Sequence, residues 1–208
     1  MSLIRIYIFT SLFAILTAFS QPNMQPKIVT DKFFKDYDKL KIITPAFKKK
    51  KGYTNYEELI SFLNDYKKKY SGLFEVNYLG KSQKGYNIPI VYIKNQNNKN
   101  PIRVWIQAGL HGNESASTEG ILYFIAELLD NHQHLINNIS MAIVPMANID
   151  GYLRLSRYAN NGLDLNRDQT KLMAQESVLH KKNFSEFSPE VALDFHVYTP
   201  LSRYLLAL

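Results

Sequence analysis

The 208-residue chain has no cysteine. That absence removes disulfides, thiolate-held zinc, iron–sulfur clusters and a thiol nucleophile together. It holds a single tryptophan and 18 acidic residues against 25 basic ones, for a formal charge of +7. An excess of that size serves an anionic partner or solubility. The lysines cluster, at Lys48–Lys51 and Lys67–Lys69, but no aromatic stacking pattern or known motif accompanies them, so no nucleic-acid partner is expected. Long apolar runs are also missing except at the start, from Ile6 to Leu16. That stretch is short of the roughly 20 residues of a membrane span.

A positive flank at Arg5, the short apolar core and the small residues Ala18 and Ser20 are the parts of a secretory signal peptide. The expectation is a signal over residues 1–20, cleaved after Ser20, with no stable membrane insertion afterwards. Export without cysteines is the pattern of a bacterial envelope protein, periplasmic or extracellular. Residues 21–52 read as an N-terminal extension and 53–208 as one domain. The last residues, Tyr204–Leu208, form an apolar run with no polar tail. Domains rarely finish inside such a segment, so the chain reads as a fragment.

Local patterns alternate between helix and strand. Thr54-Asn55-Tyr56-Glu57 reads as a capping box with Thr54 as N-cap. Leu59, Ile60, Leu63 and Tyr66 follow at helical spacing, with the helix ending near Gly72. Phe74–Leu79 alternates with period two, and Ile88–Lys94 is a second strand in which Pro89 suggests a sheet edge. Ile102–Leu110 and Ile139–Met146 read as more buried strands, separated by a helix carrying Ile121, Phe124, Ile125, Leu128 and Leu129 on one face. Residues 147–168 read as a long polar loop, Lys171–Lys181 as a helix, and Val191–His196 as a strand. His132, His134 and His180 read as surface residues. The order implies an α/β fold with a mixed, mostly parallel sheet flanked by helices.

In such sheets ligands bind outside the carboxyl ends of strands. His111-Gly112-Asn113-Glu114 begins just past one strand end, and His196 closes another. Two imidazoles and a carboxylate make a three-ligand zinc site with an open fourth position. Gly112 permits a sharp turn between the ligands. His-x-x-Glu alone is a weak signal. The loop between, Asn148–Arg157 and Gly162–Asp168, is dense in arginine, asparagine and aspartate. Guanidinium forks near a metal suit carboxylate ligands.

In their order along the chain these segments resemble the zinc carboxypeptidases of the carboxypeptidase A/B type. Gly80–Ile90 is similar to that family's glycine-rich hairpin, His111-Gly112-Asn113-Glu114 to its first ligand pair, Asn148-Ile149-Asp150-Gly151 to its Asn-Pro-Asp-Gly, and Asp194-Phe195-His196 to the strand bearing the third ligand. The resemblance implies a three-layer α/β/α fold, incomplete at its C-terminal side, and one Zn²⁺ held by His111, Glu114 and His196. It implies that Arg157 stabilises the oxyanion and that Asn166 and Arg167 hold the substrate's terminal carboxylate. The implied reaction is hydrolysis of the C-terminal bond of a peptide or protein with a free carboxylate. Ile149, Ala159 and Asp168 depart from the family's usual proline, asparagine and asparagine. The family's general-base glutamate and its closing tyrosine lie well beyond the third ligand, whereas no acid follows His196 in the twelve remaining positions. Activity of this chain by itself is therefore in question. Two other readings stay open: a zinc deacylase of N-acyl amino acids, which shares His-Gly-Asn-Glu and Asp-Leu-Asn-Arg, and a non-catalytic remnant that binds peptide C-termini.

Overall fold

The computed structural model describes residues 27–33, 43–94 and 100–197. The expected signal peptide, its cleavage after Ser20 and the apolar run Tyr204–Leu208 lie outside the described residues. The chain divides into a unit of residues 1–40 and 198–208 and a larger unit of residues 41–197. Of the first, only helix α1 (Lys27–Phe33) is described. No helix among the described residues is long and apolar enough to cross a membrane.

The larger unit opens with α2 (Tyr56–Lys69). Its cap sits one residue later than the sequence suggests. Asn55 accepts from the Glu58 N–H, and the Glu58 carboxylate accepts from the Asn55 N–H. Thr54 is otherwise engaged, because its N–H and hydroxyl both donate to Glu119 of α3 (Ser115–Asn131). The far end of α2 is tied to the same helix through Asp130, which accepts from the Tyr66 hydroxyl, the Tyr70 hydroxyl and the Lys69 ammonium.

Five strands form one sheet in the order β1-β2-β4-β3-β5. They are β1 (Phe74–Lys81), β2 (Asn87–Lys94), β3 (Ile102–Ala108), β4 (Ile139–Val144) and β5 (Val191–Phe195). The sheet is mixed: β1–β2 and β2–β4 run antiparallel, β4–β3 and β3–β5 parallel. Pro89 is not on an edge strand, since β2 lies between β1 and β4. It stands opposite Tyr78, where a register shift to Gly80 interrupts the ladder. A residue without an N–H costs least at such a bulge.

Strand residues that stand opposite each other share a face. Tyr92, Ala142, Trp105 and Ala192 form one such row. Its face is covered by α5 (Gln175–Phe187): the Phe187 ring lies 6.0 Å from Tyr92, and Phe184 5.5 Å from Trp105. Phe74, Ile93 and Met141 lie on the opposite face, where Phe74 meets Tyr66 of α2 at 6.4 Å. Helices therefore cover both faces, and the buried side chains of β2, β3 and β4 fill the two interfaces.

Two segments after β4 differ from the sequence reading. The loop after residue 147 contains the short helix α4 (Ile149–Tyr152), and Ala147–Tyr152 is buried rather than solvated. Helix α5 starts at Gln175, not Lys171, because Leu172 takes a left-handed conformation (φ 55°) and breaks the run. Asp168 caps the delayed start by accepting from the Met173 and Ala174 N–H groups. Burial pushes the Asp168 carboxyl up, but these two N–H groups and Ser177 outweigh it and hold it below its ordinary range. His180 of α5, expected on the surface, is buried with its Nε2 3.3 Å from the Ala147 carbonyl. His132 and His134 are exposed as expected.

Candidate metal centre

The site grows from the ends of β3 and β5. At the end of β3, Gly109 takes a left-handed conformation (φ 66°), and His111 two residues later is buried. Gly112 serves a different purpose from the sharp turn expected of it. A Cβ there would lie 2.1 Å from the Gly151 carbonyl carbon and 2.2 Å from the Tyr152 nitrogen. The requirement is close approach of two backbones, which packs His-Gly-Asn-Glu directly against Asn-Ile-Asp-Gly.

The Asn-Ile-Asp-Gly segment is pinned in turn. Asn148 Oδ1 accepts from the Gly151 N–H. Asp150 accepts from the Ser82 hydroxyl at 2.7 Å and from the Lys84 N–H at 3.0 Å. The β1–β2 turn is held from its other side by Glu176 of α5, which accepts from the Gln83 backbone and side chain. Distant hairpin residues thus brace the wall of the site.

His111, Glu114 and His196 come together. Their donor atoms lie within 4.8 Å of one another, and the two imidazole rings are 4.7 Å apart. Glu114 stands between them, with Oε1 2.8 Å from His111 Nδ1 and Oε2 2.9 Å from His196 Nδ1. The Val197 N–H also donates to Oε2. Burial pushes the Glu114 carboxyl up, but these hydrogen bonds outweigh it and hold it below its ordinary value.

Each imidazole has a second carboxylate on its far nitrogen. His111 Nε2 lies 3.2 Å from Asp164, and His196 Nε2 lies 3.0 Å from Asp194. Both aspartates stand inside segments singled out in the sequence, yet sequence reasoning missed their roles. For Asp194 the local signal was the Asp-x-His spacing, which puts both side chains on one side of an extended chain. For Asp164, 53 positions from His111, there was none. Burial alone would lower the His196 pKa; Glu114 and Asp194 raise it overall.

Arg157 reaches the site. Its Nε and Nη2 pair with Asp164 Oδ2 at 2.9 Å, and its Nη1 stands 3.9 Å from Glu114. Asp164 also accepts from the Asn166 N–H at 2.9 Å. Burial raises the Asp164 carboxyl, and Arg157 and that N–H more than reverse it. The side chains of Asn166 and Arg167 are not drawn into the cluster. Asn166 is half-buried and Arg167 exposed, and neither side chain bonds to the three donors among the described residues.

The donor set suits zinc. Two imidazole nitrogens and one carboxylate are a zinc ligand set, and carboxylates already hold the outer nitrogens of both rings.

Residues 59–192 match the family model described as zinc carboxypeptidase. The chain is 34% identical over 128 residues to a protein named probable carboxypeptidase 2 of Arthroderma benhamiae, covering 57% of this chain and 24% of that protein. It is 28% identical over 133 residues to human carboxypeptidase O, covering 53% of this chain and 35% of that one. Among solved structures, carboxypeptidase A from Helicoverpa armigera superposes with a TM-score of 0.64 at 26% identity, over 70% of this chain and 46% of that one. A metallo-carboxypeptidase from Burkholderia cenocepacia gives 0.65 at 20% identity, over 70% and 42%. The chain spans about a quarter of the length of the fungal relatives it matches. With the glycine-rich hairpin, the His-Gly-Asn-Glu turn and the Asn-Ile-Asp-Gly segment packed on one another as described, this chain belongs to the zinc carboxypeptidase family.

Proposed function

We propose that the cluster is the metal centre of a zinc-dependent carboxypeptidase acting on the C-terminal bond of peptide or protein substrates. One observation carries this reading: in a chain of this family, the donor atoms of His111, Glu114 and His196 converge within 4.8 Å although His196 is 82 positions from Glu114. These three residues hold one zinc ion. Zinc bound there supplies a Lewis acid for the scissile carbonyl and lowers the pKa of water. Arg157, beside Glu114, offers positive charge to the carbonyl oxygen as it gains negative charge. Asn166 and Arg167 anchor the terminal carboxylate, which sets the register for removing one residue. Arg167 is exposed and in no ion pair among the described residues, so its guanidinium fork is available to a carboxylate. Residues 53–208 are the portion of the catalytic domain carried here, after an extension over 21–52. Residues 1–20 direct export to the periplasm or medium, and the mature N-terminus is expected at Gln21.

The test is zinc content, then binding and hydrolysis of matched peptides with free or amidated C-termini. One zinc per chain and at least tenfold tighter binding of free carboxylates are expected. Release of single C-terminal residues would establish the reaction, and binding without release would leave a peptide-binding module. Absence of zinc uptake, or equal binding of both peptides, would overturn the reading. Release of acyl groups from N-acyl amino acids would redirect it to a deacylase.

A further inference from the structure

We propose that Asp194 is a positioning residue for this centre, holding His196 by its outer nitrogen so that Nδ1 stays turned toward Glu114 and His111. The proposal rests on the reading of His196 as a zinc ligand.

The geometry is that of a ring held at both edges. Nε2 lies 3.0 Å from Asp194 Oδ2, and Nδ1 lies 2.9 Å from Glu114 Oε2. A half-turn about Cβ–Cγ would put carbon atoms at both positions and break both contacts. Glu114 cannot hold the ring alone, since its oxygens would also be engaged by a metal. The outer contact then decides which edge faces inward. A carboxylate on the far nitrogen also fixes the tautomer and makes the ligating nitrogen more basic.

Asp194 is placed for this task by the sheet. It stands opposite Gln107 of β3, and His196 follows two positions later on the same side of the extended chain. Its carboxylate borders a cavity of about 200 Å³ under α5, shared with Trp105, Gln107, His180 and Lys181. Lys181 is the cation a surface carboxylate would ordinarily choose, yet the ion pair of Asp194 goes to His196. The side chain makes no other hydrogen bond among the described residues. Removing it therefore breaks no hydrogen bond among the described residues except the one to His196.

The experiment compares Asp194→Ala, Asp194→Asn and His111→Ala in the full chain. Zinc affinity is read by competition with a chromophoric chelator. The Nε2 proton of His196 is read in metal-free protein by long-range ¹H–¹⁵N spectra. Asp194→Ala is expected to weaken zinc binding about tenfold, the lower end of what such supporting residues contribute, and to lose the protected Nε2 proton. Asp194→Asn keeps an acceptor and should restore most of both. His111→Ala should abolish zinc binding. Unchanged affinity and an unchanged Nε2 proton in Asp194→Ala would overturn the proposal while leaving the metal centre intact. Should the parent chain take up no zinc, the metal reading fails by itself. The Nε2 proton then still decides whether Asp194 holds the ring.

Discussion

The two histidines of the centre share one hydrogen-bonding plan and differ in how they are enclosed. Each shows Nδ1 to Glu114 and Nε2 to an aspartate. The His111 side chain is 3% exposed and its Asp164 partner 15%; for His196 and Asp194 the values are 26% and 34%. His111 is followed by Gly112, whose backbone contact with Gly151 and Tyr152 tolerates no Cβ. His196 follows β5, whose five residues are all exposed. The same polar arrangement is thus rigid on one side and lightly held on the other. Charge-assisted hydrogen bonds are stronger away from water, so the β3 side should dominate both stability and metal affinity.

The largest expected effect is on the rigid side. Gly112→Ala would drive a methyl group into the Gly151–Tyr152 backbone and should cost about 3 kcal/mol in denaturant unfolding. A loss below about 1 kcal/mol would mean that this wall yields and the contrast is false. Acid should act next. Burial lowers the His180 pKa to about 4. Its stabilising contribution is complete above the ordinary value near 6.5 and declines as pH falls toward 4, because only the unfolded chain takes up the proton in that window. The loss should total about 3 kcal/mol and should be removed in His180→Leu. Lys181 and Asp194 are the charged groups sharing its cavity, so Lys181→Met should leave most of the slope in place. An unaltered pH slope in His180→Leu would dismiss the buried imidazole as its source.

A third comparison sets Asp164→Ala beside Asp194→Ala. Asp164 also holds Arg157 and the Asn166 N–H, so its loss should weaken zinc binding toward a hundredfold, against about tenfold for Asp194. Equal losses would erase the difference between the two sides. The smallest effect belongs to Glu190, which accepts from the Arg103 guanidinium and N–H where β5 begins. Its carboxyl is drawn down to about 2 by those bonds, but both side chains are open to solvent and the pair is screened by water. Glu190→Gln should leave the denaturation midpoint unmoved. A clear shift would show that the β5 edge is held more firmly than its exposure implies.

Much was legible where the determinants are close in sequence. The spacing of His111 and Glu114, the helix after them and the strand before them follow from period and punctuation over a dozen residues. The readings that failed were decided by distant partners. Thr54 lost the cap of α2 because Glu119 took its donors. Pro89 stands inside the sheet because the bulge opposite removes the need for its N–H. His180 is buried because α5 turns it toward Ala147.

The amino-acid sequence by itself determined the donor set, two imidazoles and a carboxylate at strand ends, and the family pattern in which they stand. Only the tertiary structure decided that Asp164 and Asp194 would hold those imidazoles, and that Gly112 is required by Gly151 rather than by its own turn. The reason is physical. Periodicity and capping act over a few residues, whereas a hydrogen bond or a backbone contact between positions dozens of residues apart exists only once the sheet has set its strand order and register.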